Sequence, residues 1–147
     1  MTEAITFETL LATEGRVIYK THGVSMEPML RQDRDLVVIE APKGRLKRYD
    51  VAFYKRGTSY VLHRVIKVAE DGYRIRGDNT YSLEIVPEGN VIGVLTGFCR
   101  KGKEYTVNDR SYRRYVRFWC AIYPMRALWI RIRRLGGKIL RKLGLRK

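Results

Sequence analysis

Tyr60-Val61-Leu62-His63-Arg64-Val65-Ile66-Lys67-Val68, then Asp71-Gly72, then Tyr73-Arg74-Ile75-Arg76, is the stretch whose reading decides the fold. Both runs are rich in β-branched and aromatic residues, which suit a pleated, half-buried surface. The Asp-Gly between them supplies the positive backbone angles of a tight turn. The pair reads as an antiparallel hairpin, and it carries His63 and the following Gly77-Asp78-Asn79 toward one end of a sheet.

Working outward, further strand-like runs lie at Arg16 to Thr21, Asp35 to Glu40, Asp50 to Tyr54 and Val91 to Phe98. Turn signals at Pro42-Lys43-Gly44, Arg56-Gly57-Thr58 and Pro87-Glu88-Gly89 separate them. Thr6 to Thr13 reads as a short helix stopped by Gly15. The expected class is mainly β, with an antiparallel domain over residues 1–107 and a helical tail over 108–147. In that tail Met125, Leu128, Trp129, Ile132, Leu135, Ile139, Leu140 and Leu143 follow three- and four-residue steps. Arg126, Arg133, Arg134, Lys138, Arg141 and Lys142 fall largely opposite, which makes a basic amphipathic helix with Gly136-Gly137 as the place for a bend.

The chain has 147 residues, enough for one core that needs no disulfide. Cys99 and Cys120 stand in neither a metal spacing nor a disulfide framework and read as two reduced thiols. The net charge of +15 is unevenly spread: residues 1–99 hold 14 Lys or Arg against 13 Asp or Glu, and residues 100–147 hold 16 against 2. Basic character is therefore a property of the tail. Met1 to Gly15 has no basic start and no apolar core of signal-peptide length. The best apolar run, Phe118 to Ile130, is broken by Pro124 and Arg126, so no membrane span is expected.

Three short strings carry chemistry. Ser25 sits in the loop Gly23-Val24-Ser25-Met26-Glu27-Pro28, whose Met-x-Pro turn presents a hydroxyl on a stiff support. His63 follows 38 residues later, and Asp78 lies just past the hairpin. A serine that attacks, a histidine that takes its proton and a carboxylate that orients the imidazole make a proton-relay nucleophile. A histidine with an ordinary pKa of about 6.5 is a neutral base near pH 7. Taken singly each string has a plain reading: an exposed loop serine, a hydrogen-bonded strand histidine, and an aspartate that caps its own turn. Lys67 shares the face of His63 if the strand is regular, but four residues at about 3.3 Å each set it roughly 13 Å away. It is too far along to replace the histidine. His22 is treated as a loop residue.

Together, Ser25-Met26-Glu27-Pro28, His63-Arg64-Val65-Ile66 and Gly77-Asp78-Asn79 resemble the signal peptidase family and its S24/S26 serine peptidase relatives. The likeness is to the histidine-type branch, the archaeal, endoplasmic-reticulum and sporulation-associated enzymes, and it covers residues 16 to 98. It implies a signal-peptidase-like (LexA-like) antiparallel β catalytic domain, with Ser25 as nucleophile, His63 as general base and Asp78 as the orienting acid. The backbone N–H of Ser25 supplies one oxyanion donor. Many signal peptidases carry a serine two residues upstream as a second donor; Gly23 stands there, and such a loss costs on the order of a hundredfold in rate. Where histidine-type members place a second aspartate this chain has Glu84, a reserve or supporting carboxylate. Asp50 matches a structural string and has no chemical role.

The resulting expectation is a serine endopeptidase that cleaves a precursor or leader peptide after small residues, with no metal and no cofactor. The family's N-terminal membrane helix has no counterpart here, and the tail would replace it. Trp129 would enter the headgroup region of an anionic membrane while Arg126, Arg133 and Arg134 meet phosphates, which places the protein peripherally at the cytoplasmic face. The rival reading is a non-catalytic basic module that binds lipid or nucleic acid through the tail. Nucleic acid is disfavoured because no reading helix, zinc finger or stacking motif accompanies the charge. Self-cleavage, as in related repressors, is also disfavoured: those use lysine as base and carry a DNA-binding domain for which the 24 residues before Ser25 leave no room.

Overall fold

The computed structural model describes residues 5–144. Thr6 opens helix α1 (Phe7–Glu14), its hydroxyl accepting the Thr9 N–H at 3.2 Å. Gly15 closes it at φ 75°, a left-handed angle that suits glycine, and donates its N–H to Leu11 O at 3.1 Å. The expected helix is present, displaced by one residue. Phe7 projects from it into an aromatic cluster, with ring centroids 5.3 Å from Tyr19, 5.2 Å from Phe53 and 4.9 Å from Tyr60. Glu8 secures the contact by accepting from Tyr60 Oη at 2.6 Å and Lys55 Nζ at 3.2 Å. The Tyr60 hydroxyl, above all, holds the Glu8 carboxyl down at about 2.

Eight strands follow: β1 (Arg16–Lys20), β2 (Leu36–Glu40), β3 (Val51–Arg56), β4 (Ser59–Ala69), β5 (Gly72–Arg76), β6 (Glu84–Val86), β7 (Val91–Arg100) and β8 (Lys103–Thr106). They form one antiparallel sheet in the order β1-β2-β7-β3-β4-β5-β6, with β8 paired to β7. The mainly β class and the six longer strands match the sequence reading. Two strands lie outside it: Glu84-Ile85-Val86 is too short to show alternation, and Lys103-Glu104-Tyr105-Thr106 is too polar to stand out.

The hairpin of β4 and β5 organises the rest. Arg64 pairs with Arg76 and Val65 with Ile75, but Lys67 pairs with Arg74, so Ile66 is an extra residue on β4. Such a bulge reverses the alternation beyond it. Lys67 is thereby in step with Arg64 and not with His63, which corrects the expectation drawn from a regular strand. Tyr54, Val65, Tyr73 and Ile75 join Leu46, Ala52 and Val86 in a buried core. Each fully buried side chain of this size contributes roughly 1.5–3 kcal/mol.

Arg64 lies on the other face and is 1% exposed. Its Nε and Nη2 donate to the two carboxylate oxygens of Asp78 at 2.7 and 2.8 Å. Nη1 donates to Tyr49 O and to Tyr112 Oη, both at 3.0 Å, and Nη2 also meets Met29 Sδ at 3.3 Å. One guanidinium thus ties together four segments that are distant in sequence. It also holds Tyr49 at its left-handed φ of 77°, an angle uncommon for a residue with a side chain. Asp50 closes the adjoining turn by accepting the Lys47 N–H at 2.8 Å, a structural use as expected.

After β8 come α2 (Arg110–Ala121) and α3 (Tyr123–Lys142). The chain divides after Tyr112, a few residues past the 107/108 boundary read from sequence, into two compact units. Within the second, Pro124 is accommodated at the start of α3, where its missing N–H costs nothing, and the helix continues through Gly136 and Gly137. Cys99 and Cys120 are each half-buried.

Removing one member of a buried, hydrogen-bonded ion pair leaves the other charged and unpaired. Asp78→Ala should therefore destabilise the protein by about 3–5 kcal/mol. Urea unfolding of wild type and variant checks it; a change under about 1 kcal/mol, the scale of a surface pair, would contradict the role given to this pair.

Candidate active site

The segment after β1 wraps back on itself before β2 begins. Gly23 N–H donates to Gln32 Oε1 at 2.9 Å, Glu27 N–H to Val24 O at 3.2 Å and Leu30 N–H to Met26 O at 3.0 Å. Met26, Met29 and Leu30 are buried and anchor the loop from below, leaving Ser25 half-exposed above them. A second clamp comes from Asn79, whose backbone N–H donates to Ser25 O at 2.8 Å and whose Nδ2 donates to Val24 O at 3.1 Å. The Gly-Asp-Asn string therefore reaches the serine loop through its asparagine.

Gly77 brings His63 to the same place. A Cβ on residue 77 would stand 2.6 Å from Ser25 O and 3.1 Å from His63 Nε2. Both distances are too short for an ordinary contact, so only glycine lets the Ser25 loop and the Nε2 edge of His63 converge here. Ser25 and His63 line one cleft of about 820 Å3, with Thr21, Gly23, Arg56 and Glu84 among its polar lining and Phe7, Tyr19, Phe53 and Tyr60 among its apolar lining. His22, exposed, also lines it.

The other edge of the imidazole meets Tyr54, whose hydroxyl lies 3.2 Å from His63 Nδ1. Strands β3 and β4 pair Ala52 with His63 and Tyr54 with Val61, so Tyr54 and His63 are diagonal neighbours on one face, within reach of an aromatic side chain. Tyr54 Oη donates to Glu84 Oε2, and Arg56 Nη2 donates to Tyr54 Oη at 3.3 Å and to Glu84 Oε1. A phenol has one proton, and here Glu84 receives it. His63 Nδ1 must then donate to Tyr54 Oη, and Nε2 is left with its lone pair turned toward Gly77 and the Ser25 loop.

Burial, with His63 7% exposed, pushes its pKa below the ordinary histidine value; Arg56 pushes the same way, and the carboxylates of Glu84 and Asp78 oppose without reversing it. Burial, reinforced by the bond to Glu84, raises the Tyr54 phenol above its ordinary value, so it stays protonated.

Of the three residues expected to form the relay, Ser25 and His63 share the cleft, while Asp78 gives both carboxylate oxygens to Arg64. The reason lies in the register: Arg64 pairs with Arg76, and alternation carries their face, not that of His63, on to residue 78. Glu84, read as a reserve carboxylate, faces the site through Tyr54. Sequence reasoning missed Tyr54 and Arg56. A signal was present, since a two-residue turn at Gly57-Thr58 pairs Arg56 with Ser59 and by extension sets Tyr54 diagonal to His63.

In the second unit the tail residues fall on α3, with Leu143 just past its end. Met125, Leu128, Trp129, Ile132, Leu135, Ile139, Leu140 and Leu143 are all exposed, Trp129 at 62%. The Arg126 guanidinium lies over the Trp119 ring, 3.8 Å from its centroid, an arrangement that favours a cation over an indole. Arg133 and Arg134 are exposed. No helix among the described residues is long and apolar enough to cross a membrane.

No protein-family model, curated protein or solved structure matches this chain.

A lowered His63 pKa has a definite sign in both titration and stability. The folded protein should titrate His63 below about 6.5. Between that lowered value and the unfolded one the unfolded chain binds more protons, so stability rises with pH across the window and is lost as pH falls through it. Histidine ring shifts followed by NMR check this, with His22→Gln assigning the signal; a His63 midpoint at or above about 6.5 would contradict the burial argument.

Proposed function

We propose that this protein is a serine endopeptidase with a signal-peptidase-like (LexA-like) catalytic fold, acting on a precursor or leader peptide after small residues. The observation that carries the reading is the convergence at Gly77: the Ser25 loop and the Nε2 edge of His63 meet at one glycine, and Ser25 and His63 both line one cleft. The order of the Ser-Met-x-Pro, His-Arg-Val-Ile and Gly-Asp-Asn strings supports the finer family assignment.

In this reading Ser25 Oγ attacks the peptide carbonyl carbon as its proton passes to His63 Nε2. The carbonyl π pair moves onto oxygen, which the Ser25 backbone N–H stabilises. Collapse of the tetrahedral species breaks the C–N bond, and the imidazolium returns its proton to the departing amine. Water, deprotonated by His63, then releases the acyl group from Ser25 and regenerates the hydroxyl. A base with a depressed pKa is weaker but is neutral over a wider range, so turnover should reach its plateau at lower pH than an unperturbed histidine would give.

The test is mass-spectrometric detection of products from a diverse peptide pool, with wild type, Ser25→Ala and His63→Ala compared from about pH 5 to 9. Cleavage should rise with pH through the His63 titration and fall in each variant by a factor on the order of a thousand or more. Products that persist in Ser25→Ala would overturn the reading.

The exposed apolar row of α3 favours a second element, peripheral attachment to an anionic membrane surface at the cytoplasmic face. Seven exposed apolar residues along one 20-residue helix and Leu143 just past its end, with cations beside them, suit a headgroup boundary where side chains are buried and phosphates are near. This element also fits the rival reading of a non-catalytic basic module, which the Ser25→Ala comparison separates. Sedimentation with vesicles containing phosphatidylserine should recover the protein. Each large apolar side chain removed from the interface costs roughly 1.5–3 kcal/mol, so Trp129→Ala with Ile132→Glu should weaken recovery at least about tenfold. Equal recovery would remove the anchor.

A further inference from the structure

We propose that Tyr54, backed by Glu84 and Arg56, is the positioning group that fixes the His63 imidazole as a base, in the place that the sequence motif gives to Asp78. The chemical meaning of this assignment rests on the Ser25–His63 reading above; the geometry behind it does not.

Four charged or titratable groups bear on His63. Tyr54 and Arg56 come from β3, Glu84 from β6 and Asp78 from the segment after β5. Asp78 holds its two oxygens on Arg64 Nε and Nη2 at 2.7 and 2.8 Å, and that pair is almost fully buried. Moving it to the imidazole would strip a buried guanidinium of its counter-charge. Tyr54 Oη is at Nδ1 already, 3.2 Å away.

The proton inventory makes Tyr54 more than a neighbour. Its one proton goes to Glu84, and its oxygen also receives the Arg56 N–H, so toward His63 it can only accept. That selects the tautomer with the proton on Nδ1 and the lone pair on Nε2, the tautomer a serine base needs. Free neutral imidazole side chains favour the opposite tautomer, so the selection has to be imposed by a partner. When His63 takes the Ser25 proton, Nδ1–H stays on Tyr54, the Tyr54 proton stays on the Glu84 side, and the carboxylate answers the new cation through the phenol. Burial above all, with Arg56 offsetting part of the Glu84 charge, keeps His63 from being a permanent cation. Asp78 is then a structural residue whose link to the site runs through the fold.

The test is nitrogen-15 NMR of histidine-labelled full-length protein above the His63 titration, run beside cleavage rates on a peptide found with the wild type. His22 is the only other histidine, and His22→Gln assigns the spectrum. Wild-type His63 should carry its proton on Nδ1, with Nε2 showing the shift of an unprotonated nitrogen. Tyr54→Phe keeps the ring but removes the acceptor. It should move the proton to Nε2 and lower kcat by up to a factor on the order of ten thousand with KM little changed, as for a serine base held in the wrong tautomer. Glu84→Gln should keep the tautomer and lower the His63 pKa, because it removes a carboxylate that raises it. Asp78→Asn should lower stability while the folded fraction keeps the wild-type tautomer.

A wild-type His63 protonated on Nε2 overturns the proposal without any variant, so a Tyr54→Phe chain that fails to fold does not protect it. A Tyr54→Phe protein with an unmoved tautomer overturns it too, as does a folded Asp78→Asn protein whose tautomer flips. Failure of the peptidase reading looks different: the tautomer responds to Tyr54→Phe as stated, and no peptide is cut by the wild type.

Discussion

The fold depends on one buried guanidinium. Arg64 sits in the middle of the longest strand, and its five N–H donors reach Asp78, Tyr49, Tyr112 and Met29, which belong to four different stretches of the chain. A charge taken this far out of water is tolerated only with a counter-ion and satisfied donors, and the bidentate pair with Asp78 meets both conditions. The arrangement is self-enforcing: the end of the hairpin, the turn before β3, the serine loop and the first turn of α2 must all arrive for the cation to be satisfied. Interactions of this kind specify one structure more than they add to its stability, since a well-packed apolar group of the same size would cost less to bury.

The candidate site is built on the back of that constraint. Successive residues of β4 serve opposite faces, so Arg64 holds the framework while His63 looks into the cleft. Gly77 stands next to Asp78 and has no side chain, which lets His63 and the Ser25 loop approach across it. Asn79 clamps the carbonyls of Val24 and Ser25. Three consecutive residues thus separate three tasks: close approach, charge compensation and loop retention. Dividing the work in this way explains why the carboxylate of the Gly-Asp-Asn string is not the one behind the histidine. The phenol of Tyr54 takes that position because the β3–β4 register sets it diagonally across from His63, and Glu84 arrives from a strand too short to announce itself.

The two units separate along another line. Residues up to Tyr112 contain almost balanced charge and the whole sheet, whereas the remainder is a basic helical segment in which α3 carries a row of exposed apolar residues. An apolar row left in water on a long helix is costly, and the proposed pairing of that row with a lipid surface would relieve the cost while the arginines and lysines gain phosphates. On the proposed reading, catalysis and location would be carried by different parts of the chain, each with its own composition.

Much was readable from local pattern. The β class, the hairpin around Asp71-Gly72, the capped helix between Thr6 and Gly15, and the amphipathic period of α3 all follow from signals a few residues long, because turns, caps and face alternation are short-range physics. Ser25 and His63, each beside a strand in a distinctive string, were singled out from sequence, and they line one cleft. What the sequence by itself determined is therefore the first helix, six of the eight strands, the helical period of the tail, and two polar residues that line one cleft. Which partners those groups meet was decided by tertiary structure alone. One extra residue at Ile66 reversed the face of Lys67, and the register of β5 against β4 turned Asp78 toward Arg64. The pairing of β3 with β4 then delivered Tyr54, with Glu84 behind it, to the imidazole. The physical reason is that a strand residue has only two faces to choose from. A one-residue shift in pairing, invisible in composition and motif, therefore exchanges every contact it makes.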